Sequence, residues 1–388
     1  MVINLHDSEG TVHIFGSGDS EWQSTIDEEG GPTAARDALR QLLLSSLQMP
    51  NLVVLAGSGC SIAAGGPSMA DLWLSAVGEP PSEAAAKVAA TVNHDLADQN
   101  IEGLMSRVEA YLQVMEDADA SAFLDDSKGT VLKECSQFLE GADLSHHLTL
   151  LHRMSRRRVR DQRLKIFTTN YDLCFERAVS ELGGVALDGF SFTSPRRYDP
   201  RYFGYDIVRR PLLGDERGDY LEGVFLLYKL HGSVSWARKP DGAISEEVQP
   251  DASEACLIYP AAGKYQQAFA QPYLESVARY LEAIREPNTC VMTLGFGFND
   301  DHLSEPLLGA VRSNPHLRMV VVDSAAKANC ESPDRPYWLS LLEHARRGDD
   351  VWCVDASLQE FVPALPDLKS ISPTASLINA LEGVMKGP

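Results

Sequence analysis

A chain of 388 residues, 44% hydrophobic and 23% charged, has the composition of a globular protein with about two or three domains, or of one large domain carrying an inserted module. Thirty-four basic against 55 acidic residues give a net charge of -21, which repels nucleic-acid backbones and argues against direct DNA or RNA binding. There is no apolar run of about eighteen residues and no signal-peptide pattern at the start, so no membrane span is expected; seven scattered cysteines without a C-x-x-C pair fit reduced thiols in a cytoplasm.

Residues 1–32 carry the turn signals DSEG and GSGDSE and read as an N-terminal arm or edge strands. The spacing of Leu39, Leu42, Leu43 and Leu47 predicts an amphipathic helix over 33–47. LVVLA (52–56) predicts a strand buried on both faces. A glycine loop and a helix over 69–77 follow it, the order of a nucleotide-binding βα unit. The stretches EAAAKVAATV and GLMSRVEAYLQVME have helical apolar spacing, which predicts a helical insertion over 79–160 that serves packing or oligomer contact. The basic run RMSRRRVRDQRLK (153–165) reads as a solvated helix end, or as a docking patch for an acidic partner or nucleic acid. Buried strands are predicted again at 164–168, 224–230, 291–294 and 319–322. Each is followed by polar or glycine residues, which marks the carboxyl edge of an α/β sheet, where ligands bind. The expected fold class is therefore α/β, a Rossmann-like parallel sheet with helices on both faces. It is formed by 33–78 and 161–388, with the helical module inserted at 79–160.

The loops at that edge carry the chemistry. In GSGCSIAAGGP (57–67), Gly57 and Gly59 allow a tight turn and close approach of a pyrophosphate. The following helix offers free N–H groups and its positive dipole end, and Ser61 a hydroxyl. The loop has no Walker lysine, and a plain tight turn is the alternative. In TTNYD (168–172), Asn170 can orient a water or a ribose hydroxyl and Asp172 can accept from an amide; either could instead cap the next helix. In KLHGS (229–233), His231 ends a buried strand beside a glycine, placed as a general base or bound to a loop carbonyl. GFGFNDDH (295–302) repeats the glycine-after-strand pattern. Asp323, closing MVVVD, suits an adenosine ribose or a helix cap. In this order, at one sheet edge, these clusters point to a dinucleotide.

The set resembles the Sir2 superfamily, the NAD-consuming fold of sirtuin deacylases and bacterial Sir2-like NADases, over roughly residues 50 to 325. Residues 57–67 resemble its G-A-G-x-S-x-x-x-G-x-P loop, with Ser58 in place of alanine. TTNYD resembles T-Q-N-x-D, and His231-Gly232 the catalytic H-G. The resemblance implies that Gly57, Ser58, Gly59 and Ser61 hold the pyrophosphate, with Pro67, Thr168 and Gly295 completing the cofactor-binding set. It implies that Asn170 orients the water or ribose, that Asp172 holds the nicotinamide carboxamide and that His231 is the general base. Gly297 would contact phosphate and Asp323 the adenosine ribose, although G-F-G stands for the family's G-T-S and aspartate for its asparagine.

Two departures point to a subfamily. Sirtuin deacylases carry a four-cysteine zinc ribbon after the histidine, whereas only Cys256 and Cys290 lie between His231 and Gly295, too few for a tetrahedral site. The family's D-F-R after the loop proline is replaced by SMADLW (68–73). Trp236, LIYP (257–260), Lys264 and the placement of the insertion resemble the Sir2-like domains of bacterial anti-phage systems. The implied activity is hydrolysis of NAD to nicotinamide and ADP-ribose, without zinc. It would work in a cytoplasmic homo-oligomer gated by a partner such as a HerA-type ATPase or a short Argonaute. The alternatives are an NAD-dependent protein deacylase and a non-catalytic module sensing NAD or ADP-ribose. A dehydrogenase would need G-x-G-x-x-G, and GSGCSI lacks the third glycine.

Overall fold

The computed structural model describes residues 12–158, 161–209, 219–258 and 271–368. In chain order the strands are β1 (His13–Phe15), β2 (Gln23–Ser24), β3 (Asn51–Ala56), β4 (Leu164–Thr168), β5 (Val185–Leu187), β6 (Val208–Arg209) and β7 (Asp219–Tyr220). They continue as β8 (Val224–Lys229), β9 (Gly232–Arg238), β10 (Ile244–Glu246), β11 (Ala255–Leu257), β12 (Thr289–Leu294), β13 (Leu317–Asp323) and β14 (Val351–Asp355). Nine of them form the main sheet, in the order β2-β1-β14-β13-β12-β3-β4-β8-β5. From β14 to β5 all pairs are parallel, and β1 and β2 close one edge antiparallel. Residues 1–11 of the expected N-terminal arm lie outside the described residues.

Strands β3, β8 and β12, apolar except at Asn51, Lys229, Thr289 and Thr293, are buried at every position, because both faces of the sheet are covered. Alternation along β3 divides the core. Leu52 and Val54 face the helices Ala34–Leu47 and Ser145–Met154, through Leu39, Leu43 and Leu151. Val53 and Leu55 face Asp301–Ser313 and Pro336–Arg347, through Leu303, Leu307 and Trp338. This is the expected α/β sandwich with a Rossmann-like sheet.

Topology places the ligand edge. The chain leaves β3 for β4 on one side and later returns to β12 on the other, so β3 and β12 flank a switch point, where open α/β sheets bind ligands. Register then levels the loops. Leu294 pairs with Ala56, Ala56 with Thr168, and Thr168 with Lys229. The chain therefore leaves four adjacent strands at one height, just before Gly57, Thr169, Leu230 and Gly295.

The helices expected over 79–160 do not share one core. Glu83–Thr91, Ile101–Leu112 and Ala118–Gln137 pack with Met69–Ala76 in a separate apolar cluster, which includes Trp73, Val88, Leu104 and Val131 and is closed by Val234 and Leu257. Ser145–Met154 packs instead on the main core beside Phe175 and Ala178. By packing, the module begins at helix Met69–Ala76 and ends before 145. Most of its apolar side chains are buried within the chain, while Met69, Leu74, Val114 and Met115 stay exposed.

The basic run is not a solvated helix end at its two best-held arginines. Arg153 is buried, and its guanidinium donates to the carbonyls of Val362, Pro363 and Leu365 at 2.9, 2.9 and 2.5 Å. Arg157 donates to those of Met49 and Pro50 at 2.5 and 2.8 Å. Carbonyls at and beyond the C-terminal ends of two helices lack intrahelical partners, and these arginines supply them.

Candidate active site

The glycines of the first loop answer first to another loop. Gly57 N–H donates to Leu294 O, and Gly59 N–H to Gly295 O, both at 3.0 Å. A Cβ on Gly57 would lie 2.5 Å from Gly295 O, and one on Gly59 would lie 2.6 Å from Gly295 Cα. Gly295 has a φ of +55°, and its own Cβ would meet Gly59 Cα at 2.5 Å. Backbone touches backbone at the switch point, which only glycine allows. The second loop is pinned by its aromatics. Phe296 and Phe298 are buried 5.1 Å apart, Phe298 stands 5.0 Å from Trp338, and Trp338 donates to Gly297 O at 3.2 Å. That anchoring holds Phe298 at a φ of +56°, a conformation a bulky residue keeps only when its surroundings impose it.

The helical stretch expected after the glycine loop is divided in two. A separate five-residue helix, Ser58–Ile62, follows the glycines. Met69–Ala76 starts later and is closed by its own capping box, in which Asp71 N–H donates to Ser68 Oγ and Ser68 N–H to the Asp71 carboxylate.

Asn170 is held from several sides. Its N–H donates to Thr168 Oγ1 at 3.1 Å, and its side-chain amide donates to Gly57 O at 2.8 Å and Ser61 Oγ at 2.7 Å. Ser61 Oγ donates in turn to Asp172 Oδ2 at 2.5 Å, and Asp172 Oδ1 accepts from Cys174 N–H at 3.0 Å. Both amide hydrogens of Asn170 are used inside the protein, so what it offers a water or hydroxyl is its acceptor, Oδ1. Lys229, buried at the end of β8, donates to Asp172 O, approaches Asn170 O at 3.5 Å and pairs with Glu176 at 3.1 Å. Burial pushes the Glu176 carboxyl above its ordinary range, and Lys229 opposes the shift.

His231 follows two residues after Lys229 and is buried. Its carbonyl accepts from Ile258 N–H at 2.8 Å. Gly232 has a φ of +88°, and a Cβ there would sit 2.1 Å from Cys256 O, so glycine is required to turn β8 into β9 beside the histidine. The His302 ring, from the GFGFNDDH motif, lies 5.5 Å from that of His231, tilted 30°.

A cleft of about 530 Å3 gathers these groups, a size suited to a small-molecule ligand. Gly57, Ser58, Ser61, Pro67, Asn170, Asp172, His231 and Gly297 line it. Gly59, Gly295 and Thr168 stand outside that lining. Asp323 is also outside it, half-buried, its carboxylate accepting from Ala325 N–H at 2.9 Å; burial raises its pKa. The opposite wall is not legible in the sequence: Gln99, Asn100, Ile101 and Phe138 come from the helical insertion, and Arg335 from before helix Pro336–Arg347. None carries a local signal, since residues at helix ends and an arginine before a proline occur on any surface.

Of the residues likened to anti-phage domains, Trp236 and Ile258 sit in an apolar cluster with Phe190 and Tyr273. Tyr259, Pro260 and Lys264 lie outside the described residues. All seven cysteines are free and buried, and no group of three or more potential metal ligands occurs among the described residues.

Residues 164–343 match the family model of the SIR2-like domain. The matched segment holds Asn170, Asp172, His231 and Gly297, and leaves out the first glycine loop and the helical insertion. The chain is also similar to solved structures of Sir2 proteins. One, described for the mechanism and regulation of Sir2 enzymes, is 13% identical over 85% of this chain and 96% of its own, with a TM-score of 0.41. A Sir2 homologue in complex with NAD is 12% identical over 84% and 94%, with a TM-score of 0.44. A mutant Sir2 homologue in complex with ADP-ribose is 15% identical over 88% and 97%, with a TM-score of 0.43. None of the curated proteins matches the chain.

Proposed function

We propose that the chain is an NAD hydrolase that cleaves the bond between nicotinamide and ribose. The observation that supports this most is Asn170, with its donors spent and its Oδ1 left to accept, on the same cleft as His231. The glycosidic bond breaks through an oxocarbenium-like state, and the cationic nicotinamide ring leaves as a neutral molecule. Asn170 Oδ1 accepts a hydrogen from the attacking water, and His231 takes its proton. Water adds to the ribose carbon, giving ADP-ribose, nicotinamide and one proton. Asp172, held by Ser61, binds the nicotinamide carboxamide.

An unchecked hydrolase would exhaust the NAD of its own cell. We therefore infer that the activity is gated, by homo-oligomer assembly and a protein partner, and that it serves NAD depletion in the cytoplasm during anti-phage defence. The helical insertion buries most of its apolar side chains within the chain, so this inference rests on the need for a gate, and on a net charge of -21 that favours a basic partner surface.

The test is incubation with NAD and chromatography of the products, alone and with the products of neighbouring genes, followed by incubation with an acylated peptide. Nicotinamide and ADP-ribose in equal amounts without peptide support the hydrolase. Product formed only with the peptide, as O-acyl-ADP-ribose, makes the chain a deacylase. Binding of NAD without turnover in every mixture makes it a sensor.

A further inference from the structure

Among the described residues the cleft is lined by four carboxylates, Asp98, Glu102, Asp172 and Asp300, and by a single cationic side chain, Arg335. A diphosphate entering it meets repulsion from every charged group except that one. Arg335 is also prepared for an anion. It directly precedes Pro336, the first residue of helix Pro336–Arg347, which keeps its backbone out of the helical region, at φ -119° and ψ 70°. Its Nη1 donates to Asn299 Oδ1 at 2.7 Å, tying the guanidinium to the β12 loop beside Gly297. Among the described residues it forms no ion pair, so most of its N–H groups stay available at the cleft. Its charge reaches Asp323 at the end of β13, where it opposes the upward push of burial on that carboxyl. A planar fork fixed at one corner is suited to bind two phosphate oxygens together.

We propose that Arg335 binds the diphosphate of the dinucleotide and that Asn299 positions it. This rests on the proposed function and adds the charge partner that neither glycine loop supplies. The side chain is exposed, so its replacement leaves the core untouched.

The experiment is calorimetric titration of ADP-ribose into the full chain, with wild type, Arg335→Gln and Arg335→Lys, at low and high salt, and with thermal unfolding of each. Loss of charge-assisted hydrogen bonds predicts about ten- to hundredfold weaker binding for Arg335→Gln. Arg335→Lys recovers part of that loss, because it restores charge without the fork, and the salt dependence is shallower for Arg335→Gln than for wild type. Melting temperatures stay equal. Wild-type affinity in Arg335→Gln, or a loss matched by a lower melting temperature and not relieved by lysine, overturns the proposal and leaves the hydrolase reading intact. Failure of the wild type to bind either ADP-ribose or NAD overturns both.

Discussion

One wall of the cleft is the carboxyl edge of the sheet, where Gly57, Asn170, His231 and Gly297 follow four strands paired in register. The other is the helical insertion, which contributes Ile101 and Cys135 from a separate apolar core. The first wall is fixed by backbone contacts and a chain of hydrogen bonds, from Gly57 O through Asn170 and Ser61 to Asp172. The second is fixed by side-chain packing, which tolerates replacement if volume is kept. Changes in the sheet wall should therefore strike the chemistry, and changes in the helical wall should strike stability.

The widest separation is expected from His231→Ala and Asn170→Ala. Removing a base or a water-orienting acceptor should lower NAD turnover by about a hundredfold to ten-thousandfold. Circular dichroism should show the fold retained. Wild-type turnover in the His231 variant would remove that residue from the reaction.

The helical wall should behave in the opposite way. Leu104 is fully buried in the insertion's core and does not line the cleft. Leu104→Ala should destabilise the protein by about 2–5 kcal/mol, measured by urea unfolding, with unchanged turnover per folded molecule. Turnover lost at full stability would show that the two walls are coupled.

A pH experiment sharpens the contrast, because its expected source lies on the sheet side. His147 is buried against Phe175, and neither ring nitrogen has a hydrogen-bond partner. Burial pushes its pKa down to about 4, with Asp172 opposing. The unfolded chain takes up the proton below about 6.5, but the folded chain only near 4. The contribution is therefore complete above 6.5 and is lost as the pH falls from 6.5 to 4, by on the order of 3 kcal/mol. His147→Leu should flatten that part of the wild-type stability curve; parallel curves for the two proteins would refute the assignment.

The smallest effect is expected at the start of helix Ile101–Leu112, where Asn100 Oδ1 accepts from Gly103 N–H at 2.9 Å. Asn100→Ala should cost about 1 kcal/mol, the usual loss for such a cap, read as a small drop in the urea midpoint. A loss as large as that of Leu104→Ala would mean that the cap holds the whole wall.

By itself the sequence determined the buried strands β3, β4, β8 and β12, and the loops that follow them. Apolar runs that hide both faces and glycine or polar residues at their ends are local signals, and Asn170, Asp172 and His231 stand directly after such runs. Only the tertiary structure decided what those loops meet. Gly57 and Gly59 are glycines because Gly295, more than 230 residues away, passes at contact distance, and no local pattern records such a pairing. The same holds for Arg153 and Arg157, which read as solvated charge until the carbonyls they serve arrive from distant helices. It holds too for Asp323, left outside the cleft lining, and for Gln99, Ile101 and Arg335, brought to the cleft by packing elsewhere. Burial and turning are written in short stretches of chain; the convergence of side chains on one cavity depends on contacts between segments remote in sequence.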